Sequence, residues 1–112
     1  MEISIKTIED IKIAVLTGDI DANTASSVTK EVLPLAEANS KIILDMTGVP
    51  YMSSAGLRML LSLYRQTTAK EGKLLLVGLT EEIIDTMTVT GFLDFFATSE
   101  TLEQGIEALA SK

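Results

Sequence analysis

Two adjacent hydroxyls, Ser53 and Ser54, are the residues of this chain best placed to do chemistry. They follow an apolar run ending at Asp45-Met46 and a polar turn, and they open a strongly amphipathic stretch. A serine at a helix start sits beside backbone N–H groups without intrahelical partners, at the positive end of the helix dipole. That setting favours an added negative charge, so the pair reads as a phosphorylatable switch. A phosphate would bring roughly −1.5 to −2 charge and three strong acceptors, which the dipole would stabilise by about 0.3–1 kcal/mol. The plainer role of the same residues is N-capping, and on physical grounds alone it is the commoner one.

Other groups gather less clearly. In an open α/β sheet the loops at the carboxyl ends of the strands carry function, so Asp19, Asp21 and Asp45 could converge on the serine turn. Paired carboxylates there would bind Mg²⁺ or act as acid and base. Capping by Asp21 and turn formation by Asp19 account for the same residues without chemistry. Gly56, in the first turn of the helix, costs about 0.5–1 kcal/mol relative to Ala, which points to a close neighbour that needs its small size. The Phe92, Phe95 and Phe96 cluster reads as core filling or a small contact patch.

Composition removes several classes of enzyme. The chain has no histidine and no cysteine, which excludes a Ser-His-Asp triad, a Cys-His pair, thiolate metal sites and disulfides. Neither GxGxxG nor GxxxxGK[ST] appears. Nine basic against sixteen acidic side chains give a net charge of −7, a surface that repels nucleic acid and anionic membrane and suits a partner with a basic face. No signal peptide is visible at the N-terminus, and no apolar run approaches the roughly 20 residues of a membrane span. The expectation is a soluble, cytoplasmic chain with a single domain over residues 1–112.

The elements that must position the serines follow from periodicity. Ile3 and Ile5, then Ile11, Ile13 and Val15, alternate as a half-buried antiparallel pair around a Glu9-Asp10 turn. Ala22 to Ala38 is helical, with Ala25, Val28, Val32 and Leu35 on one stripe and Asp21 or Asn23 as cap; Pro34 should kink it or end it early. Lys41 to Met46 and Lys73 to Val77 are interior strands, apolar on both faces. The helix from Ser53–Ser54 carries Leu57, Leu60, Leu61 and Tyr64 on its inner stripe and ends at Gly72. Thr80 caps a short helix with Ile83, Ile84 and Met87 inward, closed by Gly91. Phe92 to Ala97 holds a short edge strand, and a last helix from Ser99–Thr101 buries Leu102, Ile106, Leu109 and Ala110. The order β-β-α-β-α-β-α-(β)-α implies a mixed, mostly parallel sheet of four or five strands with about four helices, largely on one side.

The run Asp45, Thr47, Val49, Tyr51, Met52, Ser53, Ser54, Gly56 and Leu57 resembles the signature of STAS domains, found in sulphate transporters and bacterial anti-sigma factor antagonists. Gly18-Asp19-Ile20-Asp21 with Thr24-Ala25, and Gly78-Leu79 through Thr90-Gly91-Phe92, are similar to further segments of that family, so the resemblance spans essentially the whole length. It implies a domain without catalytic activity or cofactor that binds a serine kinase acting as anti-sigma factor when unphosphorylated. Phosphorylation at the start of the second helix weakens binding, and a PP2C-type phosphatase resets the switch. Many antagonists read Asp-Ser-Ser-Gly-Leu with the acceptor immediately before the glycine; here Ala55 holds that place and Ser53 holds that of the aspartate. The form Ser-Ser-Ala-Gly-Leu-Arg recurs in the same family, and there the resemblance makes Ser54 the acceptor, with Ser53 second; it gives Asp21, Tyr51, Met52, Ser53, Gly56 and Arg58 to the partner surface. The alternative is a non-phosphorylated STAS scaffold or a subunit of a membrane transporter or signalling complex.

Overall fold

The computed structural model describes residues 1–110, so Ser111 and Lys112 of the expected 1–112 domain lie outside the described residues. Five strands form one sheet in sequence order: β1 (Glu2–Ile8), β2 (Ile11–Thr17), β3 (Lys41–Gly48), β4 (Lys73–Val77) and β5 (Ala97–Ser99). β1 is antiparallel to β2, with Ile8 opposite Ile11 across the Glu9-Asp10 turn, and the remaining pairs are parallel. Between them lie α1 (Ala22–Val32), α2 (Ser54–Ala69), α3 (Glu81–Val89) and α4 (Leu102–Ala110).

Both faces of the central strands are covered. Ala14, Leu16, Ile42, Leu44, Met46, Leu74 and Leu76 pack under α1, α2 and α3, whereas Ile11, Ile13, Ile43, Leu75 and Val77 face α4 through Leu109. The alternation read in β2 as half-buried is therefore an interior strand: Ala14 and Leu16 are as deeply buried as Ile11 and Ile13. Three helices share one face and one takes the other, close to the expected lopsided arrangement.

Local chemistry sets the element ends. Asp21 caps α1, and α1 stops at Val32 because Pro34 cannot continue an α-helix; residues Leu33–Leu35 tighten into a 3-10 turn instead. The inner stripe of α2 differs from the expected one. Met59, Leu63 and Thr67 are buried beside Leu57 and Leu60, while Leu61 and Tyr64 are only half-buried, because α2 packs on both the sheet and α1 and its buried arc is rotated between them. The left-handed residue that ends α2 is Glu71 (φ 60°), not Gly72; Gly72 is small because Ser40 and Thr67 crowd the space a Cβ would take.

Further along, Ile84 and Ala110 are exposed rather than inward. Phe92–Phe95 form a 3-10 turn instead of a strand, since Gly91 (φ 81°) turns the chain and the Phe95 and Phe96 rings pack tilted and edge-on against Tyr64 of α2. The edge strand begins only at Ala97. Among the described residues no helix is long and apolar enough to cross a membrane.

Candidate functional site

The loop after β2 and the loop after β3 are zipped together, and this places the starts of α1 and α2 side by side. Gly18 N–H donates to Gly48 O (3.0 Å), Ile20 N–H to Tyr51 O (3.0 Å) and Ser53 N–H to Ile20 O (2.8 Å). Ile20 and Met52 thereby form an isolated parallel bridge beyond the ends of their strands. Gly56 seals the joint: a Cβ there would lie 2.5 Å from Met52 Cγ and 2.9 Å from Ile20 Cγ2. The close neighbour expected from its sequence position is this bridge.

The two serines are differentiated by a single residue of register. Ser53 is the N-cap of α2, half-buried, with its Oγ accepting from the Gly56 amide at 3.4 Å. Ser54 is the first helical residue; its side chain is exposed and its hydroxyl makes no hydrogen bond within the described residues. Beside it the Ser54 and Ala55 amides of the first turn have no intrahelical acceptor. No acidic residue occupies that turn, in contrast to α3, where Glu81 and Glu82 do.

The carboxylates of Asp21 and Asp45 are committed locally. Asp21 Oδ1 accepts from the amides of Asn23 (2.9 Å) and Thr24 (3.1 Å), while Thr24 Oγ1 accepts from Asp21 N–H (2.9 Å) and donates to Asp19 O (2.9 Å). Asp45 Oδ1 accepts from Thr47 N–H (3.1 Å) and the Thr47 hydroxyl (2.7 Å). Among the described residues no group of three or more acidic side chains comes together that could hold a metal ion.

Of the residues assigned to the partner surface, Tyr51 (53% exposed) and Arg58 are open to solvent, and Asp21 and Ser53 are partly so. Met52 (7% exposed) and Gly56 are buried. They shape the joint from beneath and present no side chain to a partner, because the bridge to Ile20 turns Met52 inward. Sequence reading placed Ile20 and Thr24 in a segment similar to the family's but gave neither a role at the site. Thr24 was detectable from the Asp-x-x-Thr spacing of a capping box, whereas nothing in the order of residues marks the backbone of Ile20. A cavity of about 370 Å³, lined by Tyr64, Leu74, Phe95 and Leu109 among others, lies at the opposite end of the sheet, by the start of β4.

A family model described as "STAS domain" matches residues 2–105. The chain belongs to the STAS domain family. Within it, this STAS domain is similar to proteins named anti-sigma-B factor antagonist. The one from Listeria monocytogenes is 33% identical over 81 residues, covering 70% of each chain. That from Bacillus subtilis is 28% identical over 92 residues, covering 82% of this chain and 84% of the other. Its fold matches the structure of the anti-sigma factor antagonist SpoIIAA in its unphosphorylated form, with a TM-score of 0.77 and 14% identity over 99% of this chain and all of that one. The phosphorylated form of the Bacillus cell fate determinant SpoIIAA matches with a TM-score of 0.73 at 15% identity, covering 96% and 99%. This STAS domain belongs with the anti-sigma factor antagonists, a regulatory family.

Proposed function

We propose that this STAS domain is a phospho-switched antagonist. Unphosphorylated, it binds a serine kinase that acts as anti-sigma factor; phosphorylated on Ser54, it lets that partner go. The reading rests above all on one contrast: Ser53 spends its oxygen on capping α2, while the Ser54 hydroxyl beside it is exposed and unengaged. In the transfer, Ser54 Oγ attacks the γ-phosphorus of ATP held by the kinase, the bond to the β-phosphate oxygen breaks, ADP leaves, and the hydroxyl proton is released. This domain supplies only the acceptor.

Release follows from electrostatics. The phosphate lands at the positive end of the α2 dipole, so the helix keeps its place while the surface above it changes by nearly two charges. Asp19, Asp21, Asp45, Glu81 and Glu82 already lie on the loops and helix starts at this end of the sheet. A partner whose contact over Ser54 is apolar or acidic is expelled by that added charge, and a PP2C-type phosphatase would restore binding by hydrolysing the phosphoserine. Tyr51 and Arg58 provide the exposed contacts. The domain works in the cytoplasm of a bacterium.

The test is a binding measurement with the kinase recovered on the unphosphorylated chain. Ser54→Asp should release it and Ser54→Ala should retain it and resist phosphorylation. Equal retention by Ser54→Asp would favour a static scaffold.

A further inference from the structure

Neither arginine of α2 has an ionic partner among the described residues. Arg58 is exposed and makes no ion pair among the described residues, where Lys41 and Asp10 form the single one, at 3.4 Å. The sixteen residues of α2 include no Asp or Glu, so no carboxylate on the same helix competes for its guanidinium. Of the acids at this end of the sheet, Asp21 and Asp45 bind their own loops, and Asp19, Glu81 and Glu82 stand on other elements.

Arg58 also lies four residues after Ser54. Helical residues four apart sit one above the other on the same face, and side chains lean back toward the helix N-terminus. The Arg58 side chain therefore leans over the turn that carries Ser54. An anion that precedes a cation by four residues is the favourable order on a helix, and a guanidinium fork matches the oxygens of a phosphate. Arg65, the other arginine of α2, is eleven residues from Ser54, roughly 16 Å along the axis, and cannot reach.

We infer that Arg58 is the intramolecular counter-ion of the Ser54 phosphate, so that phosphorylation withdraws a cation from the docking surface as well as adding an anion to it. The inference rests on Ser54 being the acceptor. It gives Arg58 two states. In the unphosphorylated chain the guanidinium points into solvent, available to an acceptor on the partner. In the phosphorylated chain it folds onto the phosphate, and that contact is lost to the partner.

The experiment needs no kinase. Phosphoserine is installed at position 54 during translation, in the parent chain and in Arg58→Gln, which keeps length and helix propensity at an exposed position. The second ionisation of the phosphate is followed by ³¹P NMR titration, and the Nε–H resonances of Arg58 and Arg65 by ¹⁵N NMR. The phosphate pKa should be lower in the parent by about 0.3, fading at high salt. The Arg58 resonance should move when phosphoserine replaces serine while that of Arg65 stays. Equal phosphate pKa values in the two proteins, with an unmoved Arg58 resonance, would overturn the pairing. A chain never phosphorylated on Ser54 in its cells would instead remove the proposed switch, whatever the titration shows.

Discussion

Ile20 and Met52 pair as a parallel bridge, and through it the Ile20 backbone is hydrogen-bonded on both sides to the segment that launches α2. Ile20 N–H donates to Tyr51 and Ile20 O accepts from Ser53, so the position of the serine pair is fixed from the neighbouring loop and not by its own turn alone. The joint is a built-in rigid mount, and a switch that works by charge rather than by movement needs one.

Gly56→Ala tests the mount. The added methyl would meet Met52 Cγ at 2.5 Å, Ile20 Cγ2 at 2.9 Å and the Ile20 carbonyl oxygen at 3.2 Å. Overpacking costs about 1–3 kcal/mol, against a gain of up to about 1 kcal/mol in helix propensity. Urea unfolding should show net destabilisation; an unchanged or raised midpoint would mean that the joint is loose.

Asp21→Ala removes the carboxylate that caps α1 and leaves the Asn23 and Thr24 amides without it. The expected loss is about 1 kcal/mol, read as a lower thermal midpoint. Asn at the same position should recover most of it.

Ser53→Ala and Ser54→Ala should separate cap from acceptor. The first removes the Gly56 amide's side-chain acceptor and should cost about 0.5–2 kcal/mol while leaving phosphorylation in place. The second should leave stability nearly unchanged and abolish phosphorylation by the partner kinase. Phosphate incorporation counted by mass spectrometry, beside a melting curve, distinguishes them.

Leu60→Ala probes the core that carries the site. Leu60 is fully buried between α2 and the sheet, and its truncation should cost about 2–5 kcal/mol. Arg58→Ala, by contrast, should leave the melting temperature within about 2–4 °C of the parent and weaken partner binding. A loss of stability comparable to that of Leu60→Ala would make Arg58 structural.

Much of this was legible in the residues. Apolar strands bounded by caps gave the element order, Pro34 marked the end of α1, and Asp21, Thr80 and Ser53 announced three helix starts. The departures share a cause. Leu61, Tyr64, Ile84 and Ala110 fit a helical stripe, but which arc is buried depends on what the helix packs against, and that is a tertiary fact. The Phe92–Phe96 run has strand-forming aromatics, yet Gly91 and the Tyr64 ring hold it as a turn. At the site, residue types pointed to the serines and the acids, whereas the division of labour between Ser53 and Ser54 depends on one residue of helix register. The inward turn of Met52 depends on a bridge to a residue more than thirty positions away.

The central claim is that Ser54 carries the switch, and the most direct measurement is intact and peptide mass spectrometry of the protein purified from its own cells. The account predicts one added phosphate, mapped to Ser54 and removed by a PP2C-type phosphatase. A phosphate confined to Ser53, or none under several growth conditions together with unaltered partner binding by Ser54→Asp, would contradict it.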